Sequence, residues 1–153
     1  MALIAFIVPG APQGKGRAKI VKIGGFSRMA TPAKTVAYEG LVAHAAQAAM
    51  RGAVPFEQAV GANLFIDCQV PASWSQKKQR MALAGEIMPT SKPDIDNVVK
   101  AIFDGCNGVL WRDDVLVVDT RIRKRYAATP CVRVEVWSVV EPVQQAELLG
   151  AVA

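Results

Sequence analysis

"SKPDIDNVVKAIFDGCNG", residues 91–108, sets an amphipathic helix directly behind two closely spaced acids. Val98, Val99, Ile102, Phe103 and Cys106 recur at helical spacing and make one apolar stripe. Asn97, Lys100, Asp104 and Asn107 run along the opposite side, and Asn107-Gly108 closes the segment. The spacing predicts a helix over 95–106. Pro93 holds Lys92 out of helical conformation and marks the approach. Asp94 then falls at the N-cap and Asp96 in the first turn, where carboxylates satisfy free N–H groups and the helix dipole for ~0.5–1 kcal/mol each. One acid suffices for a cap. The second adds repulsion, in a chain with 18 Lys+Arg against 13 Asp+Glu. If residues 94–96 are still extended, side chains two apart point the same way and present both carboxylates to one point. A hard divalent cation would then account for the pair, since Mg2+ takes carboxylate oxygens and leaves other positions to water and phosphate. Capping and metal binding both remain open on these residues alone.

Outward from this helix, two further features bear on the choice. Lys100 lies one turn after Asp96 on the same face, placed either for a surface ion pair worth ~0.3–0.5 kcal/mol or beside a bound phosphate. Asp104, a turn further on, reads as an ion-pair partner or as a group that orients Lys100. Asp113-Asp114 follows in "LWRDDVLVVD", at the mouth of the next strand. A helix running into a neighbouring strand can return that pair toward Asp94 and Asp96. Equally, an acidic pair before a strand can be a plain turn.

The rest of the chain reads as alternating elements. Residues 2–8 are β-rich, 9–19 form a Gly/Pro/cation loop, and 19–23 make a second strand closed by Gly24-Gly25. Thr31-Pro32 resembles a helix start, with an alanine-rich helix over 33–50 ended by Arg51-Gly52. Residues 62–70 alternate as a strand, Ser73 begins a short helix over 74–83, and 115–126 form a long strand. A last strand over 131–137 is expected to pair with it antiparallel across Thr129-Pro130. The expected fold is α+β: a single domain over 1–140, a mixed sheet of about five strands covered by two or three helices, then a tail over 141–153.

Composition narrows the chemistry. No apolar run approaches the ~20 residues of a membrane span, and "MALIAFIVPG" lacks a basic leader, so the chain reads as cytoplasmic. Cys68, Cys106 and Cys131 show no metal-binding spacing and read as buried thiols. His44 is the only histidine, which excludes a Ser-His-Asp triad or a multi-histidine metal site within one chain. Catalysis, if present, falls to carboxylates and lysine. The +5 charge permits a nucleic-acid partner.

"KPDIDNVVKAIFDGCNGVLWRDDVLVVDTRIRK" resembles the signature region of the RusA-like Holliday junction resolvases, in the pattern (K/R)-P-D-x-D-N-x-x-K-A-x-x-D followed by D-D-x-x-V. "VPGAPQGKGRAK" is loosely similar to the basic opening of phage-borne members. The resemblance implies a homodimeric, Mg2+-dependent endonuclease, with Mn2+ as a substitute, that nicks four-way DNA junctions symmetrically. It implies metal binding by Asp94, Asp96 and Asp114 and a catalytic role for Lys100. Asp113 matches a family residue of less certain role. Phosphate contacts are expected from Lys15, Arg17, Lys19, Lys92 and Arg112. Two other classes remain: a non-catalytic DNA-binding protein with a structural acidic cluster, and a DxD-type transferase, which ranks last because no Gly-rich nucleotide site is evident.

Overall fold

One strand organises the molecule. In the computed structural model, which describes residues 3–139, β4 (Val60–Gln69) runs through the centre of a four-stranded sheet. Val60, Ala62, Leu64 and Ile66 on one face are fully buried. On the other face, Gly61 lies beneath the Trp137 ring and Asp67 is buried. A strand buried on both faces belongs in the middle of a sheet.

In chain order the elements are β1 (Ile4–Pro9), β2 (Lys19–Ile23), β3 (Phe26–Ala30), α1 (Ala33–Met50), β4, α2 (Gln76–Leu83), α3 (Ile95–Cys106), a 3-10 turn at Asp114–Leu116, β5 (Val117–Ala127) and β6 (Cys131–Ser138). The sheet order is β1-β6-β4-β5, with β4 parallel to β5 and antiparallel to β6. The expected pairing of the last two strands is therefore corrected. β6 inserts between β1 and β4, and β5 lies at the edge. Arg121, Arg123 and Arg125 explain the choice, because a strand with an exposed cationic face is suited to an edge and would be costly at the centre.

The α+β assignment holds, and the helices α1 and α3 bury one face of the sheet. Tyr38, Val42, Ala46 and Met50 of α1 recur every four residues and join Val98, Ala101, Ile102 and Cys106 of α3 against Leu64 and Ile66. All three cysteines are free and buried. The 33–50 and 95–106 helices form with the expected bounds. Their caps differ in detail: Pro32 rather than Thr31 is the N-cap of α1, and Ser75 rather than Ser73 caps α2, accepting from Lys78 N at 3.2 Å. The tail over 141–153 lies outside the described residues. Among the described residues, no helix is long and apolar enough to cross a membrane.

β2 and β3 form a separate two-stranded hairpin, and β3 is an extra strand. Gly24 and Gly25 both take positive φ (57° and 83°), the conformation a tight two-residue hairpin turn requires.

α1 and α3 pack tightly at Gly105. A Cβ there would lie 2.8 Å from Val42 Cβ and 3.0 Å from the Glu39 carbonyl oxygen. Alanine ordinarily gains ~1 kcal/mol over glycine within a helix. The overpacking, at ~1–3 kcal/mol, outweighs that gain. Gly105→Ala is expected to lower the urea midpoint, and an unchanged midpoint would mean that the helices can separate freely.

Candidate active site

The start of α3 is held from outside. Lys124 of β5 donates from Nζ to the carbonyls of Ser91 (2.7 Å) and Pro93 (2.9 Å), and Lys15 N donates to the Asn97 carbonyl at 2.9 Å. Lys124 belongs to no motif that marks it for this role. Its only sequence signal is a cation on the helix-facing side of β5, between Ile122 and Tyr126.

Asp94 is the N-cap residue of α3, yet its side chain makes no capping hydrogen bond. Its carboxylate instead lines a hollow with Lys15, Arg17, Lys92 and Asn97. The helix start thus leaves this acid free for another task. At the other acidic pair the duties divide. Asp113 accepts from Val115 N at 3.3 Å and caps the 3-10 turn, and the Asp114 carboxyl is hydrogen-bonded to Asp113.

Asp96, Lys100, Asp104 and Asp114 line one open hollow floored by Val99, Phe103 and Ile122. The return of Asp114 to α3 depends on Trp111. This ring is fully buried, stands edge-on to Phe103 with centroids 5.2 Å apart, and donates from Nε1 to Asn107 Oδ1 at 2.8 Å. Phe56 N bonds the Leu110 carbonyl (2.9 Å) and Arg112 N bonds the Phe56 carbonyl (3.0 Å), so the connection is pinned on both sides. Among the described residues Lys100 makes no ion pair, so its ammonium is available to the hollow.

Asp104 is paired, but with Lys15 rather than Lys100. Lys15 Nζ contacts Asp104 Oδ2 and Glu39 Oε1, the latter at 2.9 Å. Burial alone would lower the Lys15 pKa, and the two carboxylates overcome it and raise it. The glycine-rich loop is docked as well: Gly16 N donates to Thr35 Oγ1 at 2.9 Å, and a Cβ on Gly14 would press on Asn97 at 3.0 Å. Lys15 thus spends its charge within the protein. Arg17 and Lys92 stand exposed beside Asp94, while Lys19 on β2 and Arg112 are exposed elsewhere. Of the strand cations, Arg125 pairs with the buried Asp67 at 3.1 Å, and Arg123 stacks over Phe65.

The charge balance of the hollow is unfavourable. Partial burial, then the carboxylates of Asp113 and Asp104, push the Asp114 pKa up, and Lys100 only partly opposes them. A carboxyl whose folded pKa is raised binds its proton more readily when folded, so it costs stability above that pKa and the cost fades as pH falls. Asp114→Asn is therefore expected to melt no lower than the wild type at neutral pH in EDTA. A fall of several degrees would instead make Asp114 a structural residue.

The donor set fits a hard divalent cation in kind, being carboxylates with no thiol or imidazole among them. Asp96 and Asp114 line one hollow, while Asp94 lines the other. Among the described residues, no three acidic, histidine or cysteine side chains converge as a finished metal cage.

The family model "Endodeoxyribonuclease RusA" matches residues 9–137. The chain belongs to the RusA endodeoxyribonuclease family. It is also 33% identical over 144 residues to the uncharacterized protein YqaN of Bacillus subtilis (strain 168), covering 91% of this chain and 99% of that one. The RusA match starts at the last residue of β1 and takes in β4, β5, nearly all of β6, both long helices and both hollows. Endonuclease cleavage of branched DNA is the activity that the RusA family carries.

Proposed function

We propose that this protein is a Mg2+-dependent endonuclease that resolves four-way DNA junctions by paired, symmetric nicks. The observation that supports it best is that Asp96 and Asp114, 18 positions apart in sequence, line one hollow together with Lys100, which makes no ion pair among the described residues. Asp94, Asp96 and Asp114 would hold the ion. When bound, Mg2+ supplies Lewis-acid polarisation of the scissile phosphate and lowers the pKa of water. The protein's own groups do the rest. Lys100 brings its ammonium to phosphate oxygens that gain charge in the transition state. Arg17 and Lys92 beside Asp94 hold backbone phosphate and set the register of the strand, with Lys19 and Arg112 extending the phosphate contacts. Paired nicks need two sites, so the working unit is a homodimer.

The deciding experiment compares a synthetic four-way junction with a linear duplex of the same sequence, each in Mg2+ and in EDTA. Symmetric nicks on the junction in Mg2+ alone are expected. Tight binding with no nick in either Mg2+ or Mn2+ would overturn the catalytic reading.

A further inference from the structure

The β2–β3 hairpin is unlike the rest of the molecule. Every residue in it except Ala30 is exposed, including Ile20 (72%), Ile23 (53%), Phe26 (81%) and Met29 (63%). A two-stranded hairpin alone is marginally stable in water, so an arm this apolar implies something that it meets. Its charge says what. Residues 10–30 carry Lys15, Arg17, Lys19, Lys22 and Arg28 and no acid. Taking these five from 18 cations leaves 13 against 13 acids, so the chain's whole +5 excess sits here. Lys15 is anchored to Glu39 and Asp104 at the arm's root, beside the site. Among the described residues, Arg17, Lys19, Lys22 and Arg28 make no ion pair. Two such arms packed together would set like charges against each other. A polyanion with apolar faces suits the arm better.

We propose that the β2–β3 hairpin is a DNA-inserting arm, in which Lys19, Lys22 and Arg28 grip phosphates along the stem while Ile23 and Phe26 at the tip enter the stacked bases at a branch point. Ile23 and Phe26 are paired across the Gly24-Gly25 turn, so the tip is a blunt apolar wedge. Apolar side chains inserted between base steps unstack them, and backbone contacts offset the cost. This inference rests on the reading of the protein as acting on branched DNA, and it adds a second contact region outside the acidic hollows.

The test uses the full chain in EDTA, so that cleavage plays no part, and a four-way junction with 2-aminopurine at the branch point. Wild-type protein is expected to raise the fluorescence as bases unstack. Phe26→Ser should abolish that rise and weaken binding about tenfold, the scale of one lost aromatic–base contact. Lys22→Gln with Arg28→Gln should lower the slope of log affinity against log salt by about 2. A shorter variant, with Lys19–Ala30 replaced by a Gly-Ser link, should keep its melting temperature and lose both effects. Unchanged fluorescence, affinity and salt slope in these variants would overturn the arm. So would a shift from dimer to monomer in light scattering with binding unaltered, since the occupant would then be a second copy. Nicking by the wild type in Mg2+ is scored separately: arm-dependent binding without nicking sinks the nuclease reading alone, and nicking with arm-independent binding sinks the arm alone.

Discussion

Asp96→Asn is expected to bind a four-way junction within a few-fold of wild type and to nick it at least ~10²–10³-fold more slowly. Replacing a residue that merely supports a metal ligand costs ~10–100-fold, and removing one preorganised stabilising group from a site costs ~10²–10³-fold, so loss of a direct ligand sets the larger figure as a floor. The fold should tolerate the change. Asp96 is exposed in the first turn of α3, and asparagine preserves its shape. Binding should survive because Arg17 and Lys92, the cations proposed to contact phosphate, lie in the other hollow. Single-turnover nicking separates the two quantities. A mutant that cleaves at the wild-type rate would remove Asp96 from the chemistry.

Trp111→Ala should have the largest effect on stability. The side chain is fully buried, packs edge-on against Phe103 and donates to Asn107. Truncating a buried tryptophan costs ~3–5 kcal/mol in lost burial and cavity. Asn107 is exposed, so water can replace its lost bond, and the cavity dominates the cost. Against a total stability of ~5–15 kcal/mol this is a large share, and a fall in melting temperature on the order of 10 °C follows. Activity should fall beyond the loss in folded protein, because the ring connects the end of α3 to the segment that carries Asp114. Phenylalanine at 111 retains most of the volume and should recover much of the stability. A melting temperature within a few degrees of wild type for the alanine variant would mean that the site collapses around the gap.

The sequence carried the local features well. α3 is legible because Val98, Ile102 and Cys106 repeat at the helical period, and a stripe of that kind has one way to be buried. α1 is legible from its alanine-rich run and the Arg51-Gly52 stop, which the structure realises as Arg51 and Gly52 at positive φ. The pattern from Lys92-Pro93-Asp94 through Asn97, Lys100-Ala101 and Asp104 to Asp113-Asp114 carries the resemblance that the RusA match bears out. β3 was not legible, because a five-residue strand exposed on both faces has no burial pattern to leave in the sequence. The Gly24-Gly25 pair between two β-capable runs was the one signal available.

What the chain decided by itself is thus local: helix positions from period and caps, a chemistry of carboxylates and lysine from the residue types, and the concentration of its charge excess in residues 10–30. What only the tertiary structure decided is who meets whom. Strand order turned on which strand had two faces to bury, a comparison among strands that no single segment contains. Lys15 found Asp104 across 89 positions, Lys124 found Pro93 across 31, and Asp114 reached the hollow of Asp96 only because Trp111 is buried against Phe103. Such contacts depend on packing free energy summed over the whole core, and a sequence window holds only its own part of that sum.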